Sequence, residues 1–335
     1  MNINPGKTEF SDAEHVALVA QVKGVLSAEK ISQADLARQA DVPQATLSQY
    51  LNGTYPSEAG RASTAAKLTK WLRAREQAAE MRRQLPKAPA YMPLTGSRKI
   101  AMALTYARET GRMVMIAGSP GVSKTASARQ FREDFPRTWY TAMDPSTGGV
   151  PTMLLEVLAA MGVSEIKGTP QQLMRRVCDI AVEAKGLIIV DEAQHLSEQA
   201  IEALRALNDR TRERGAPIGV ALLGNETAWT RVGTTGGKAA FAQVSSRFAQ
   251  RRWIVSPDPV DAAALARAWA DANGEIISEA EVAYCVDIAS RAGGLRNIEM
   301  TMEAALLAAR GAGDALSLEH LKGAFAQLSG LGRTR

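Results

Sequence analysis

The residues best suited to chemistry are Gly118, Ser119, Pro120, Gly121, Val122, Ser123, Lys124 and Thr125, which follow the apolar run Met113–Ala117. A glycine-containing loop that delivers Lys-Thr to a helix start suits a polyphosphate. Exposed backbone N–H groups and the helix N-terminus then face the crowded negative charge. In that arrangement Lys124 reaches the outer phosphates and the Thr125 hydroxyl holds Mg2+. Ser123 departs from the G-x-x-x-x-G-K-[ST] pattern, because it stands where that pattern carries its second glycine. A side chain there is expected to restrict a backbone that favours positive φ.

A second element supplies the complementary acids. Leu187–Val190 reads as a buried strand and ends in Asp191-Glu192. Asp191 is placed to hold Mg2+ and Glu192 to polarise an attacking water, although Asp191 alone also suits a helix cap. The two elements, in this order along the chain, make ATP the expected ligand and Mg2+ its companion ion.

The elements that position these residues follow from the apolar pattern. Strands are expected at Met113, Trp139–Ala142, Leu187–Val190, Ile218–Leu223 and Arg252–Val255, and helices over Ile100–Glu109, from the loop to Asp134, over Met153–Met161, from Thr169 and over Glu198–Arg214. Apolar strands alternating with helices predict an α/β fold with a mostly parallel sheet covered on both faces. From Val260 onward the sequence reads as helical.

Before the sheet, Val16, Val19, Val22, Leu26 and Ile31 recur at helical spacing, and Ser32 opens a second helix. A turn at Val42-Pro43 leads to a third helix ending at Gly53. The pair resembles the helix-turn-helix of phage repressors. That resemblance places Gln44, Thr46, Ser48 and Gln49 toward the major groove and Leu36, Ala37, Val42, Leu47 and Leu51 in the core. A module that keeps this fold but binds protein fits the same residues. Arg61, Lys67, Lys70, Arg73, Arg75, Arg82 and Arg83 follow, against Glu76 and Glu80 alone. Pro86, Pro89 and Pro93 then mark an extended connection.

The chain has 335 residues, 46% hydrophobic and 22% charged, with a net charge of +5. The excess permits nucleic-acid binding without requiring it. Two cysteines, Cys178 and Cys285, cannot form a disulfide framework or a cysteine zinc site. No apolar run approaches the roughly 20 residues that span a bilayer, so no membrane partner is expected and a reducing cytoplasm is the expected compartment.

Taken together, GSPGVSKT, LIIVDEAQHL, LLGN and the arginine before a helical end resemble an AAA+ P-loop NTPase. With the N-terminal module, TGGK, SRFAQRR and GGLRNIE added, the resemblance narrows to the transposition proteins of the MuB family of Mu-type phages and covers nearly the whole chain. It implies an N-terminal helix-turn-helix domain over 1–85, a linker over 86–97, an AAA+ α/β core over 98–256 and a helical C-terminal lid over 257–335. The implied activity is ATP hydrolysis. The implied partners are double-stranded DNA, held largely without sequence preference, a cognate transposase, and further copies of the chain in an ATP-dependent helical filament inside a bacterial host cell. Hydrolysis would drive release, giving target selection and immunity.

By position, the resemblance makes Asn225 the sensor that orients water with Glu192, Arg247 an arginine finger offered to the neighbouring subunit, and Arg296 the sensor on the lid. It puts Lys167, Thr169, Arg175 and Arg176, and less strongly Lys238, against DNA phosphates. Such contacts position a duplex without reading it. A transcription regulator with an ATPase sensor domain and a helicase-loader type of AAA+ protein are the competing readings.

Overall fold

The computed structural model describes residues 10–55, 57–233 and 248–330. The chain divides into two compact units, Met1–Leu85 and Pro86–Arg335.

The first unit is helical. Its α1 (Asp12–Glu29) starts at a capping box between Ser11 and Glu14. Helices α2 (Gln33–Gln39) and α3 (Gln44–Leu51) are joined by a tight turn in which Asp41 has a φ of 52°. The long α4 (Glu58–Gln84) completes a core built on Leu18, Val22, Leu36, Leu47, Leu68 and Trp71. The buried stripe of α1 differs from the expected apolar row. His15, Leu18 and Val22 point inward while Val16 is 68% exposed. The cause is a buried contact of 2.7 Å between His15 Nδ1 and the Tyr50 hydroxyl, which turns the helix to bring His15 inside. Lys30, in the left-handed conformation, ends α1 before Ile31.

The second unit is built on five strands: β1 (Met113–Gly118), β2 (Thr138–Ala142), β3 (Leu187–Asp191), β4 (Gly219–Gly224) and β5 (Phe248–Ile254). Their order is β2-β3-β4-β1-β5, and every pairing is parallel. Because strand side chains alternate, Val114, Ile116, Ile189 and Leu223 face α5 (Thr95–Thr110) and α6 (Lys124–Asp134). Met115, Ile188, Val190 and Leu222 face the opposite layer of α7 (Val150–Ala160), α8 (Pro170–Ala184) and α9 (Glu198–Glu213). Both faces are therefore dry, as apolar parallel strands require. The last strand is longer than its local sequence predicts, because it pairs along β1 with a register shift beside Met113.

After β4 come α10 (Glu226–Gly233) and four helices: α11 (Pro259–Asn273), α12 (Glu279–Ser290), α13 (Leu295–Ala312) and α14 (Leu318–Leu328). The four share a core of their own around Trp269, Ile288, Met302, Leu306 and Leu321. The proline connection ends at α5, which begins at Thr95 and not near Ile100. The buried Asp261 of α11 accepts the Thr95 and Gly96 N–H groups at 2.8 and 3.0 Å, satisfying donors that the helix start leaves unpaired. Its partner lies 166 residues away, so no local signal announces that start.

Parallel strands bring the ends of β1, β3 and β4 to one edge of the sheet. The fully buried Ile189 of β3 helps hold that edge. Ile189→Ala should cost about 2–5 kcal/mol, read as a lower urea midpoint by circular dichroism. A change below about 0.5 kcal/mol would remove this strand from the core.

Candidate nucleotide-binding site

The loop from Gly118 to Thr125 is held from two sides by backbone. Ser119 N–H donates to the Ile254 carbonyl at 3.2 Å, and a Cβ at Gly118 would stand 2.4 Å from that same oxygen. On the other side Leu295 N–H donates to the Gly121 carbonyl at 2.9 Å. Gly121 has a φ of +75°, and a Cβ there would meet the Gly293 carbonyl at 1.8 Å. Only glycine fits at 121, on both counts. Ser123 is the N-cap of α6 with a φ of 63° and makes no side-chain capping bond. A side chain has thus been accepted at a left-handed position that favours glycine.

Lys124 lies across the loop, donating to the Gly118 and Ser119 carbonyls at 2.8 and 2.9 Å. Burial lowers its pKa, an effect opposed by the Asp191 and Glu192 charges and reinforced by Arg296. Thr125 Oγ1 donates to Asp191 Oδ2 at 2.7 Å, so the start of α6 is joined to the end of β3. Asp191 is 2% exposed. Glu192 has a φ of 54°, and its carboxylate accepts from the Gln194 amide. The Gln194 oxygen in turn accepts the Asn225 N–H at 3.4 Å, while Asn225 Oδ1 accepts the Ala228 N–H at the start of α10.

These groups border one cleft of about 430 Å³, lined by Lys124, Thr125, Glu192, Asn225 and Arg296 together with the loop. That volume is within the usual range for small-molecule sites. Four further residues stand at or beside the cleft, and two of them, Gln194 and Glu299, fall inside the DEAQHL and GGLRNIE stretches, although no pattern gives any of the four a role. Arg129 lines the cleft from α6, and Glu299 lines it one turn after Arg296 on α13. Burial raises the Glu299 pKa, and the Arg296 charge opposes that rise. Gln194 links Glu192 with Asn225. Tyr140 of β2 donates its hydroxyl to Asp191 Oδ2 at 3.0 Å. Burial, then the Asp191 charge and this bond, push the Tyr140 pKa up to about 12. A polar residue on an expected strand was the only available hint.

A second cavity of about 470 Å³ adjoins the first, with Ser123, Ala126 and Glu299 common to both. Tyr91 and Met92 of the proline segment form one wall, and Leu265, Trp269 and Met300 another. Trp269 Nε1 and Ser97 Oγ, both at this cavity, are buried and have no hydrogen-bond partner among the described residues. The segment that reads as a spacer therefore also lines a cavity.

The donor set suits a hard cation held largely by a bound phosphate group. Thr125 and Asp191 present oxygens side by side, and no cluster of three His, Cys, Asp or Glu able to hold a metal exists among the described residues.

Residues 107–232 match the family model of an AAA domain, and residues 246–328 match that of the Mu B transposition protein, C terminal. The DNA transposition protein B of the Mu-like prophage FluMu of Haemophilus influenzae is 31% identical over 287 residues, covering 85% of this chain and 95% of that protein. The chain belongs to the Mu B transposition protein family. The ATP-dependent target DNA activator B of Escherichia phage Mu is 29% identical over 314 residues, covering 92% of this chain and 94% of that one. Among solved structures, the ORC2 protein of Aeropyrum pernix superposes with a TM-score of 0.57 at 13% identity, covering 72% of this chain and 69% of that one. The core of this Mu B family member is an AAA+ P-loop ATPase.

Within the second unit, Lys167, Thr169, Arg175 and Arg176 are not among the residues that line the cleft. Thr169 caps α8 in a capping box with Gln172, Arg176 donates to the Glu165 carbonyl at 2.9 Å, and Lys167 and Arg175 are exposed. On α3, Gln44 and Gln49 are exposed, and Thr46 and Ser48 are half-buried. Lys238 and Arg247 lie outside the described residues. Among the described residues no helix is long and apolar enough to cross a membrane.

Ser123→Gly should stabilise the protein by up to about 1.5 kcal/mol. It relieves left-handed strain of roughly 1–2 kcal/mol while adding about 0.5–1 kcal/mol of chain entropy loss. A rise in melting temperature checks this, and a fall would mean that the Ser123 side chain contributes more than it strains.

Proposed function

We propose that this protein is an ATP-dependent DNA-binding ATPase that prepares target DNA for transposition, and that nucleotide occupancy sets its hold on the duplex. One observation carries the reading. The phosphate-loop lysine, the Thr125–Asp191 pair, Glu192, Asn225 and Arg296 all meet at a single cleft on the strand-end edge of the sheet. The names borne by the relatives, a target DNA activator and a transposition protein, supply the biological setting.

In this reading the triphosphate occupies the cleft of Lys124, Arg129 and Arg296, where loop N–H groups and the start of α6 add favourable dipoles. Thr125 and Asp191 hold Mg2+, which offsets phosphate charge. The base enters the adjoining cavity between the proline segment and the Leu265, Trp269 and Met300 wall. Glu192, steadied by Gln194, takes the proton of the attacking water, and Asn225 orients that water. Arg247 approaches from a neighbouring copy and offsets charge that develops on the phosphate.

Self-association in a helical filament then follows from a site completed by the next copy. Lys167, Thr169, Arg175, Arg176 and Lys238 contact phosphates, and Gln44, Thr46, Ser48 and Gln49 of the first unit add a second, separate contact. The domain limits 1–85, 86–97, 98–256 and 257–335 belong to this same proposal. A transposase receives the DNA, and hydrolysis ends the engagement.

Two variants test the reading in gel shifts on random duplex DNA with and without ATP. Lys124→Ala should lose the ATP-dependent shift, because the half-buried cation that lies across the loop is removed. Retention of that shift would exclude Lys124 from the site, and a wild-type footprint at a defined sequence without nucleotide would overturn the function. Glu192→Gln should keep ATP and DNA but hydrolyse at least about a hundredfold more slowly, the usual range for losing a general base. Electron micrographs of that variant should show persistent fibres on DNA, and normal turnover would exclude Glu192 as the base.

A further inference from the structure

The Asp191 carboxylate is fixed at both oxygens. Oδ1 accepts the Glu192 N–H at 2.8 Å, and Oδ2 accepts two hydroxyls, Thr125 at 2.7 Å and Tyr140 at 3.0 Å. A carboxylate has about four acceptor positions, so these three bonds leave roughly one lone-pair direction free. Thr125 is itself a proposed cation ligand, and the Glu192 N–H belongs to the next residue of the same chain segment. Tyr140 is the remaining anchor, and it comes from a different strand.

Its placement is well determined. In the pairing of β2 with β3, Tyr140 stands opposite Ile189, and Ala142 stands opposite Asp191. The ring therefore lies two residues back along the neighbouring strand and sends its hydroxyl forward to the carboxylate. The Arg129 and Arg132 guanidinium carbons each lie 5.8 Å from the ring centroid. Arg129 also lines the proposed phosphate cleft and lies near enough to Tyr140 to oppose the rise in its pKa, so the side chain adjoins both a cleft cation and the Asp191 carboxylate.

We infer that Tyr140 is a positioning residue for Mg2+: its hydroxyl holds Asp191 Oδ2 so that the carboxylate keeps its remaining lone pair directed at the ion. A partner behind a ligand fixes that ligand's orientation, and its removal typically weakens metal binding by about 10–100-fold. This inference rests on the nucleotide reading above, and its test separates the two.

The experiment titrates Mg2+ into full-length protein mixed with a fluorescent ATP analogue, comparing wild type, Tyr140→Phe and Tyr140→Leu. A parallel series in EDTA reports nucleotide binding without the ion. Tyr140→Phe keeps the ring against both arginines and removes only the hydroxyl. It should leave binding in EDTA unchanged and raise the Mg2+ needed for half-maximal binding about tenfold or more. Hydrolysis should recover when Mg2+ is raised to match. Tyr140→Leu should show at least the same Mg2+ shift.

An unchanged Mg2+ requirement in Tyr140→Phe overturns the inference, as does a shift confined to Tyr140→Leu, which would assign the residue to packing. Equal weakening in EDTA and in Mg2+ also overturns it, because the defect would then lie in the nucleotide pocket. Failure of the wild type to bind the analogue at all would instead overturn the nucleotide reading itself.

Discussion

The structure depends on a short loop being clamped by backbone on both sides. Gly118 lies against the Ile254 carbonyl of β5, and Gly121 lies against the Gly293 carbonyl just before α13. These contacts leave no room for a Cβ, so the loop cannot drift from the strand or from the C-terminal helices without losing both. Arg296 follows the clamped Leu295 directly, which places its side chain at the phosphate cleft as a consequence of the backbone bond from Leu295 to Gly121. The C-terminal helices thus receive their position relative to the loop from a peptide hydrogen bond and two glycines, and α13 packs into their own core.

The same economy governs the acids. Strand β3 is dry along its whole length, so its last residue emerges from an apolar wall. A carboxylate at such a place must be hydrogen-bonded, and Asp191 gathers three donors from three different elements. Glu192 follows in a left-handed conformation that turns its side chain away from the strand path and toward the Gln194 and Asn225 side of the cleft. One backbone reversal gives two adjacent acids different surroundings: the first is enclosed and fixed, the second exposed to the cleft.

What the sequence made legible was whatever has a local period or a fixed spacing. Buried parallel strands read as apolar runs, and the loop and acid pair read as motifs, so β1, β3 and β4 and the placement of the loop and of Asp191-Glu192 at strand ends are legible in the sequence. The contacts of Tyr140, Gln194, Arg129 and Glu299 are not, since each depends on a partner that only the fold brings near. The start of α5 was hidden for the same reason, because its cap is a side chain of α11. Of the apolar row along α1, Val19, Val22 and Leu26 meet the core and Val16 does not. His15 joins them unannounced, because a histidine counts as polar in a hydrophobic pattern whereas a 2.7 Å contact to Tyr50 makes it a core residue.

The basic stretch of α4 shows how far composition can carry an argument about charge. Seven cations against two acids suggest an electropositive face, but Arg61 pairs with Asp12, Lys67 with Asp41 and Arg75 with Glu29, residues 26 to 49 positions away in sequence. Arg75 also lies over the Trp71 ring at 4.9 Å. Three of the seven cations therefore tie α4 to α1 and to the turn before α3. Each such exposed pair adds at most about 1 kcal/mol, so their effect on stability is small beside that of the apolar core. Their effect on the field is larger, because a paired cation presents little net charge beyond a Debye length of about 10 Å. Any attraction of this unit for a polyanion must then come from cations without such partners, such as the exposed Lys70, and from the polar side chains of α3. A helix that looks like a nucleic-acid footprint in sequence is, in the fold, in large part a brace for α1 and for the turn before α3.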